Sequence, residues 1–179
     1  MRKLKTHELQ RLDPQEIPIV TKLPLVLVLD NVRSMYNVGA AFRIADAFLV
    51  EKIYLCGITA QPPHRDIHKT ALGAEETVAW EYAAETAMLL KQLQAAGYLV
   101  AAVEQTDQSI PLQKYQPMPN QQYCLVFGHE VWGMSEAALS ACNLSLEIPQ
   151  YGTKHSLNVA VSIGIVVWEL AKQLASHPA

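Results

Sequence analysis

Short apolar runs separated by polar, turn-rich stretches set the pattern of this chain. Leu25-Val-Leu-Val-Leu29, Tyr98-Leu-Val-Ala-Ala-Val103 and Tyr123-Cys-Leu-Val-Phe127 carry no charged residue, and such runs fit strands covered on both faces. Lys52-Ile-Tyr-Leu-Cys56 and the segment from Leu144 to Ile148 read as two further strands, and a brief one is expected around Thr77 to Trp80. Helical stretches fall between them: Asn37 to Phe48, about Ala84 to Ala96 with Gly97 as its stop, about Ser135 to Cys142, and a closing helix from about Asn158 to Leu174. The segment Gln61 to Thr70, broken by Pro62 and Pro63, reads as a loop, and Gln105 to Asn120 as a Pro-containing connection.

Strands alternating with helices predict an α/β fold, a mostly parallel sheet flanked by helices. It is expected to form one domain over residues 23–179 behind an N-terminal leader of residues 1–22, where Leu4, Leu9 and Leu12 mark a short helix. Ligands of such sheets sit at the carboxyl ends of the strands. The polar stretches after Leu29, Val103, Phe127 and Ile148 are therefore expected to meet at one crevice.

Composition narrows the class. Half of the 179 residues are hydrophobic and only 17% are charged, which excludes a disordered chain and suffices for a core without disulfide staples. Cys56, Cys124 and Cys142 lie at wide spacing in apolar surroundings and read as reduced thiols. No apolar run is long enough to span a membrane and the charged N-terminus lacks the apolar core of a signal peptide, so a cytoplasmic protein without membrane attachment is expected. A net charge of −3 weighs mildly against nucleic-acid binding. Arg2, Lys3, Lys5, Arg11 and Lys22 nevertheless crowd the leader.

Four segments carry candidate chemistry. The stretch from Ile148 to Ser162 joins a Pro/Gly turn to His155, Ser156 and Asn158 at the mouth of the closing helix, where free N–H groups suit a ligand and also a plain helix cap. In Asn37…Gly39…Arg43 the arginine is expected near the start of a buried helix, either paired with Asp46 or Asp30 or offering its donor fork to a phosphate or an oxygen nucleophile. Phe127-Gly-His-Glu-Val-Trp-Gly133 sets Glu130 between two glycines that allow close approach of a ligand. His64 and His68 have i,i+4 spacing but lack the Glu of a metalloprotease pattern, so no metal is expected and a substrate-facing loop is preferred. The closing helix, apolar on nearly every face, points to cover by a second subunit, a homodimer, beside the simpler reading of a central core helix.

Dinucleotide, P-loop and nucleophile-elbow fingerprints are absent. Three segments in order, Asn37-Val-Gly-x-x-x-Arg43, Phe127-Gly-His-Glu-x-x-Gly133 and Ile148-Pro-x-x-Gly-x-x-x-Ser-Leu-Asn-Val159, resemble the motifs of the SpoU (TrmH-like) branch of the SPOUT RNA methyltransferases, from about Leu25 to the C-terminus. The resemblance implies a C-terminal deep trefoil knot, S-adenosylmethionine held bent within it, a site completed across a homodimer, and tRNA or rRNA as substrate. It places the backbone of Gly128, Ile148 and Leu157 around the cofactor and Glu104 near its adenine or ribose. Arg43 is implied at the ribose 2′-hydroxyl with Asn37 beside it, Glu130 as the second-motif carboxylate, and Ser156 and Asn158 as the third-motif polar pair. His129 stands where Asn is common. Many relatives carry an added RNA-binding domain or basic extension, where this chain has its short leader. The alternative is a knotted RNA-binding or assembly protein without turnover; methylation of a base is disfavoured by the arginine motif.

Overall fold

The structure, a computed structural model, describes the chain except residues 6, 7, 10, 14, 17, 18 and 175–179. The leading helix expected around Leu4, Leu9 and Leu12 falls in a stretch partly outside the described residues.

Among the described residues, seven strands form one sheet: β1 (Leu23–Asp30), β2 (Val50–Cys56), β3 (Trp80–Ala83), β4 (Tyr98–Val103), β5 (Ile110–Pro111), β6 (Gln122–Phe127) and β7 (Leu144–Glu147). Their order is β3-β2-β1-β6-β4-β7-β5, with every pairing parallel. The α/β class and parallel sheet are as the apolar runs predict. Strand alternation splits the runs between two cores. Leu25, Leu27, Leu29, Tyr123, Leu125 and Phe127 face one side, and Val26, Val28, Cys124 and Val126 the other.

The first core is covered by α1 (Met35–Ala47), α2 (Arg65–Ala71), α3 (Ala74–Thr77) and α6 (Val159–Leu174), the second by α4 (Thr86–Ala95) and α5 (Glu136–Ser140). α1 starts earlier than its apolar period predicts because the Ser34 hydroxyl caps it, accepting from Asn37 N–H. Gly39 lets α2 approach: a Cβ there would lie 2.2 Å from both Ile67 O and Thr70 Oγ1. Cys56 and Cys124 are buried, Cys142 is half-buried, and all three are free.

Three expectations need correction. The stretch from Gln61 to Thr70 is a loop only as far as His64, whose ring nitrogen accepts from Asp66 N–H and caps α2. Ile67 and Ala71, four residues apart, bury its apolar face. The strand expected at Thr77 to Trp80 begins at Trp80, because residues 74–77 form a helical turn, and β3 then follows β2 from Ile53↔Trp80 to Cys56↔Ala83. The connection from Gln105 to Asn120 contains β5, whose two residues pair with Leu146 and Glu147 and form one sheet edge.

Candidate active site

A cleft of about 610 Å³ opens at the carboxyl ends of β4, β6 and β7. It is lined by Glu104 and Gln105 after β4, by the turn from Gly128 to Met134 after β6, and by Ile148, Gln150 and Ser156–Val159 after β7. Three of the four polar stretches thus converge as expected. Three acidic residues, Glu104, Glu130 and Glu147, are among its lining residues, with no Lys or Arg among them. Its field therefore favours a cationic ligand.

The fourth stretch, after Leu29, joins this site through Glu130. The carboxylate accepts from Arg33 N–H at 3.0 Å, Ser34 N–H at 2.8 Å and the Asn37 side-chain amide at 3.0 Å. Burial alone pushes the Glu130 carboxyl up, but these donors outweigh it and hold it below the ordinary value, so Glu130 is an anion at neutral pH. Asn37 Oδ1 in turn accepts from Asn158 Nδ2 at 3.1 Å. Asn158 Oδ1 caps α6, accepting from the N–H groups of Ala160 at 2.9 Å and Val161 at 3.3 Å. A single hydrogen-bonded line, Glu130 to Asn37 to Asn158, thereby ties the starts of α1 and α6 to the turn after β6.

The two glycines of that turn make room for the protein's own chain at the edge of the cleft. A Cβ on Gly128 would lie 2.3 Å from the Gly133 carbonyl carbon, and one on Gly133, where φ is +67°, would meet Glu104 Oε2. They let the chain fold back on itself, closed by His129 N–H to Gly133 O at 3.0 Å and Gly133 N–H to His129 O at 2.9 Å. Glu104 lies against this turn, its Oε2 accepting from Met134 N–H at 3.2 Å, so it joins β4 to the turn as well as facing the cleft. Ser156 and Leu157 are exposed at the cleft mouth. The N–H groups of Ile148 and Leu157 donate to no acceptor among the described residues.

Arg43 is not in this cleft. It is exposed in the second half of α1, not at the start of a buried helix. Six residues separate it from Asn37, about 9 Å along the axis and a different face. It lines a separate depression with Ala40, Ile44, Ala47, Phe48, Lys69 and Thr70. The ion pairs considered for it do not form among the described residues. Asp46 accepts from the Thr77 hydroxyl at 2.9 Å, and buried Asp30 accepts from the Asn31 side chain, the Thr86 hydroxyl, and the Ser135 N–H and hydroxyl. Asp30, at the last position of β1, is the organising residue that sequence reasoning missed; its signal is a carboxylate directly after an unbroken apolar run. His68 meets Glu75 at 2.6 Å rather than pairing with His64 around a metal, and no metal-binding cluster occurs among the described residues.

An acid-lined cleft at the carboxyl edge of a parallel sheet, framed by polar helix starts, defines a small-ligand-binding α/β domain. The chain belongs to the SpoU rRNA methylase family, whose model matches residues 24–168. It is 33% identical over 156 residues to the 23S rRNA (guanosine-2'-O-)-methyltransferase RlmB of Nitrosomonas europaea, covering 86% of this chain and 58% of that protein. Against RlmB of Shewanella oneidensis the identity is 31% over 170 residues, covering 92% and 65%. An AdoMet-bound rRNA methyltransferase from Sinorhizobium meliloti shares the fold with a TM-score of 0.79 at 26% identity, over 93% of this chain and 63% of that one. The A. aeolicus TrmH/SpoU tRNA modifying enzyme shares it with a TM-score of 0.79 at 24% identity, over 89% and 80%. The chain spans 58% and 65% of the length of the two RlmB relatives.

Proposed function

We propose that this chain is an S-adenosylmethionine-dependent RNA 2′-O-ribose methyltransferase, acting on tRNA or rRNA as a cytoplasmic homodimer. The observation that carries the reading is the line from Glu130 through Asn37 to Asn158, which joins all three motif segments beside one cleft. No helix among the described residues is long and apolar enough to cross a membrane. Residues 23–179 act as the methyltransferase domain and residues 1–22 as its leader.

The residues present fit the cofactor. Its sulfonium is cationic and the cleft presents Glu104, Glu130 and Glu147. The free N–H groups of Ile148 and Leu157 suit its polar adenosine and methionine ends, with Gly128 beside them and Glu104 retaining acceptor capacity for ribose hydroxyls. A volume of about 610 Å³ lies within the usual range for small-molecule sites. Bound there, S-adenosylmethionine supplies an electrophilic methyl group. β7 lies between β4 and β5, so the chain that leaves β6 enters the sheet inside the arch joining those strands; this supports the C-terminal trefoil knot.

The protein's task is alignment, since in-line transfer to a ribose oxygen needs acceptor, carbon and sulfur on one axis. Glu130 and Asn37 hold the β1–α1 loop, Asn158 fixes the start of α6, and Ser156 at the mouth contacts the incoming arginine. That arginine is Arg43 of a second copy. The face of α6 carrying Val161, Ile165 and Trp168 is 50%, 37% and 55% exposed, and it adjoins the Arg43 depression through Ile44 and Phe48. Pairing this face with another copy covers the apolar strip and carries Arg43 across to the partner cleft. A guanidinium offers donors and no acceptor, so Arg43 orients the hydroxyl and an RNA phosphate or water takes the proton.

Calorimetry with S-adenosylmethionine separates this from a knotted RNA-binding protein without turnover, which would release no heat. Incubation with labelled cofactor and bulk RNA from cells lacking the protein, followed by nuclease-resistance mapping, identifies the methylated position. Label on a base instead of a 2′-oxygen refutes the ribose assignment.

A further inference from the structure

We infer that Trp132 is a stacking platform for an unpaired nucleobase of the RNA, beside the nucleotide that enters the cleft; this rests on the methyltransferase reading above. Trp132 is 81% exposed, yet it lines the cleft and sits at the tip of a turn that is anything but loose. The turn is closed by reciprocal N–H to O bonds between His129 and Gly133. His129 Nδ1 also accepts from Val131 N–H at 3.0 Å and Trp132 N–H at 3.4 Å, and its ring lies 6.4 Å from the indole at an interplanar angle of 32°. An aromatic held out into water on a fixed support loses little entropy when a flat partner lands on it.

The surroundings say which partner. At the mouth, the loop of residues 151–158 is exposed and sets Tyr151, 93% exposed, close in sequence to Lys154. Exposed aromatic rings near a lysine suit a single-strand nucleic-acid site, where bases stack and cations follow phosphates. The other exposed indole, Trp168, has aliphatic neighbours on its helix face, Val161 and Ile165, and that strip suits a protein partner. The two tryptophans therefore divide the work, and the division is measurable.

The test uses the full chain and a labelled single-stranded oligoribonucleotide of about a dozen nucleotides, with the same strand in duplex as a second probe. Trp132→Ala is expected to weaken single-strand binding about 5- to 150-fold, the equivalent of the ~1–3 kcal/mol that one stacked base contributes. Trp132→Phe keeps a π-face and stays within about threefold of wild type. Duplex binding changes little, and the Tm and the sedimentation coefficient are retained in both variants. Unchanged single-strand binding by Trp132→Ala overturns the proposal, and so does a loss that Trp132→Phe shares or that appears only with a shift in oligomeric state. Wild-type protein that releases no heat with S-adenosylmethionine refutes the methyltransferase reading alone; the oligonucleotide series still decides the platform.

Discussion

Glu130→Ala removes the acceptor of three hydrogen bonds at 2.8–3.0 Å, two of them from the backbone of the β1–α1 loop. Bonds to an ionised group contribute about 1.5–3 kcal/mol each when fully sheltered. Glu130 is only half-buried, so water screens the charge and replaces part of what is lost, and a total of about 2–3 kcal/mol is the appropriate figure. For a domain of this size that lowers Tm by about 4–12 °C. The deficit must also depend on pH. The folded Glu130 carboxyl lies below its ordinary value of 4.5, so the unfolded chain takes up the proton more readily. The contribution is complete above about 4.5 and is lost as pH falls through the folded value. Urea unfolding of wild type and Glu130→Ala, run from pH 7 down to about 3.5, is expected to show two stabilities that converge on acidification. A gap that stays constant across that range would falsify the anionic anchor, and a Tm change under about 1 °C would show that the three donors find equivalent partners in water.

Three further outcomes follow from the geometry. Arg43→Ala is expected to lower the methyl-transfer rate by about 10²–10⁴ with S-adenosylmethionine affinity within about twofold of wild type, and calorimetry showing a parallel loss of affinity would place Arg43 at the cofactor instead. Ile165→Glu puts a charge in the exposed strip of α6 and is expected to raise the dimer dissociation constant at least about tenfold by analytical ultracentrifugation; an unaltered dimer means the strip is not the contact. Gly39→Ala is expected to destabilise by about 1–3 kcal/mol because its Cβ meets the Ile67 carbonyl at 2.2 Å. Gly152→Ala, with nothing within 4 Å, is the near-neutral control, and equal Tm values for the two variants would overturn the packing role of Gly39.

Much of the sheet was legible because its strands are buried on both faces: an apolar run such as residues 25–29 or 123–127 has no polar position to spare, and composition alone marks it. Elements that depend on tertiary partners were not. β5 is two residues long and exists through pairing with Leu146 and Glu147, and α2 depends on an imidazole cap that propensity does not rank. The site divides along the same line. Asn37, Glu130 and Asn158 could be selected by motif, but only the fold shows that they bond to one another, since 121 residues separate Asn37 from Asn158. Glycine was the least readable residue type, because the sequence does not say whether the missing Cβ makes room for a ligand or for the protein itself. At Gly39, Gly128 and Gly133 the neighbour is α2, the folded-back turn and Glu104 in turn. Arg43 is a different case: its helix was foreseen, yet it lines a separate depression and not the cleft of its own chain. In the dimer proposed above, Arg43 acts on the partner's cleft and has no reason to face inward in its own chain, and its exposure beside an uncovered apolar strip is the arrangement that proposal requires.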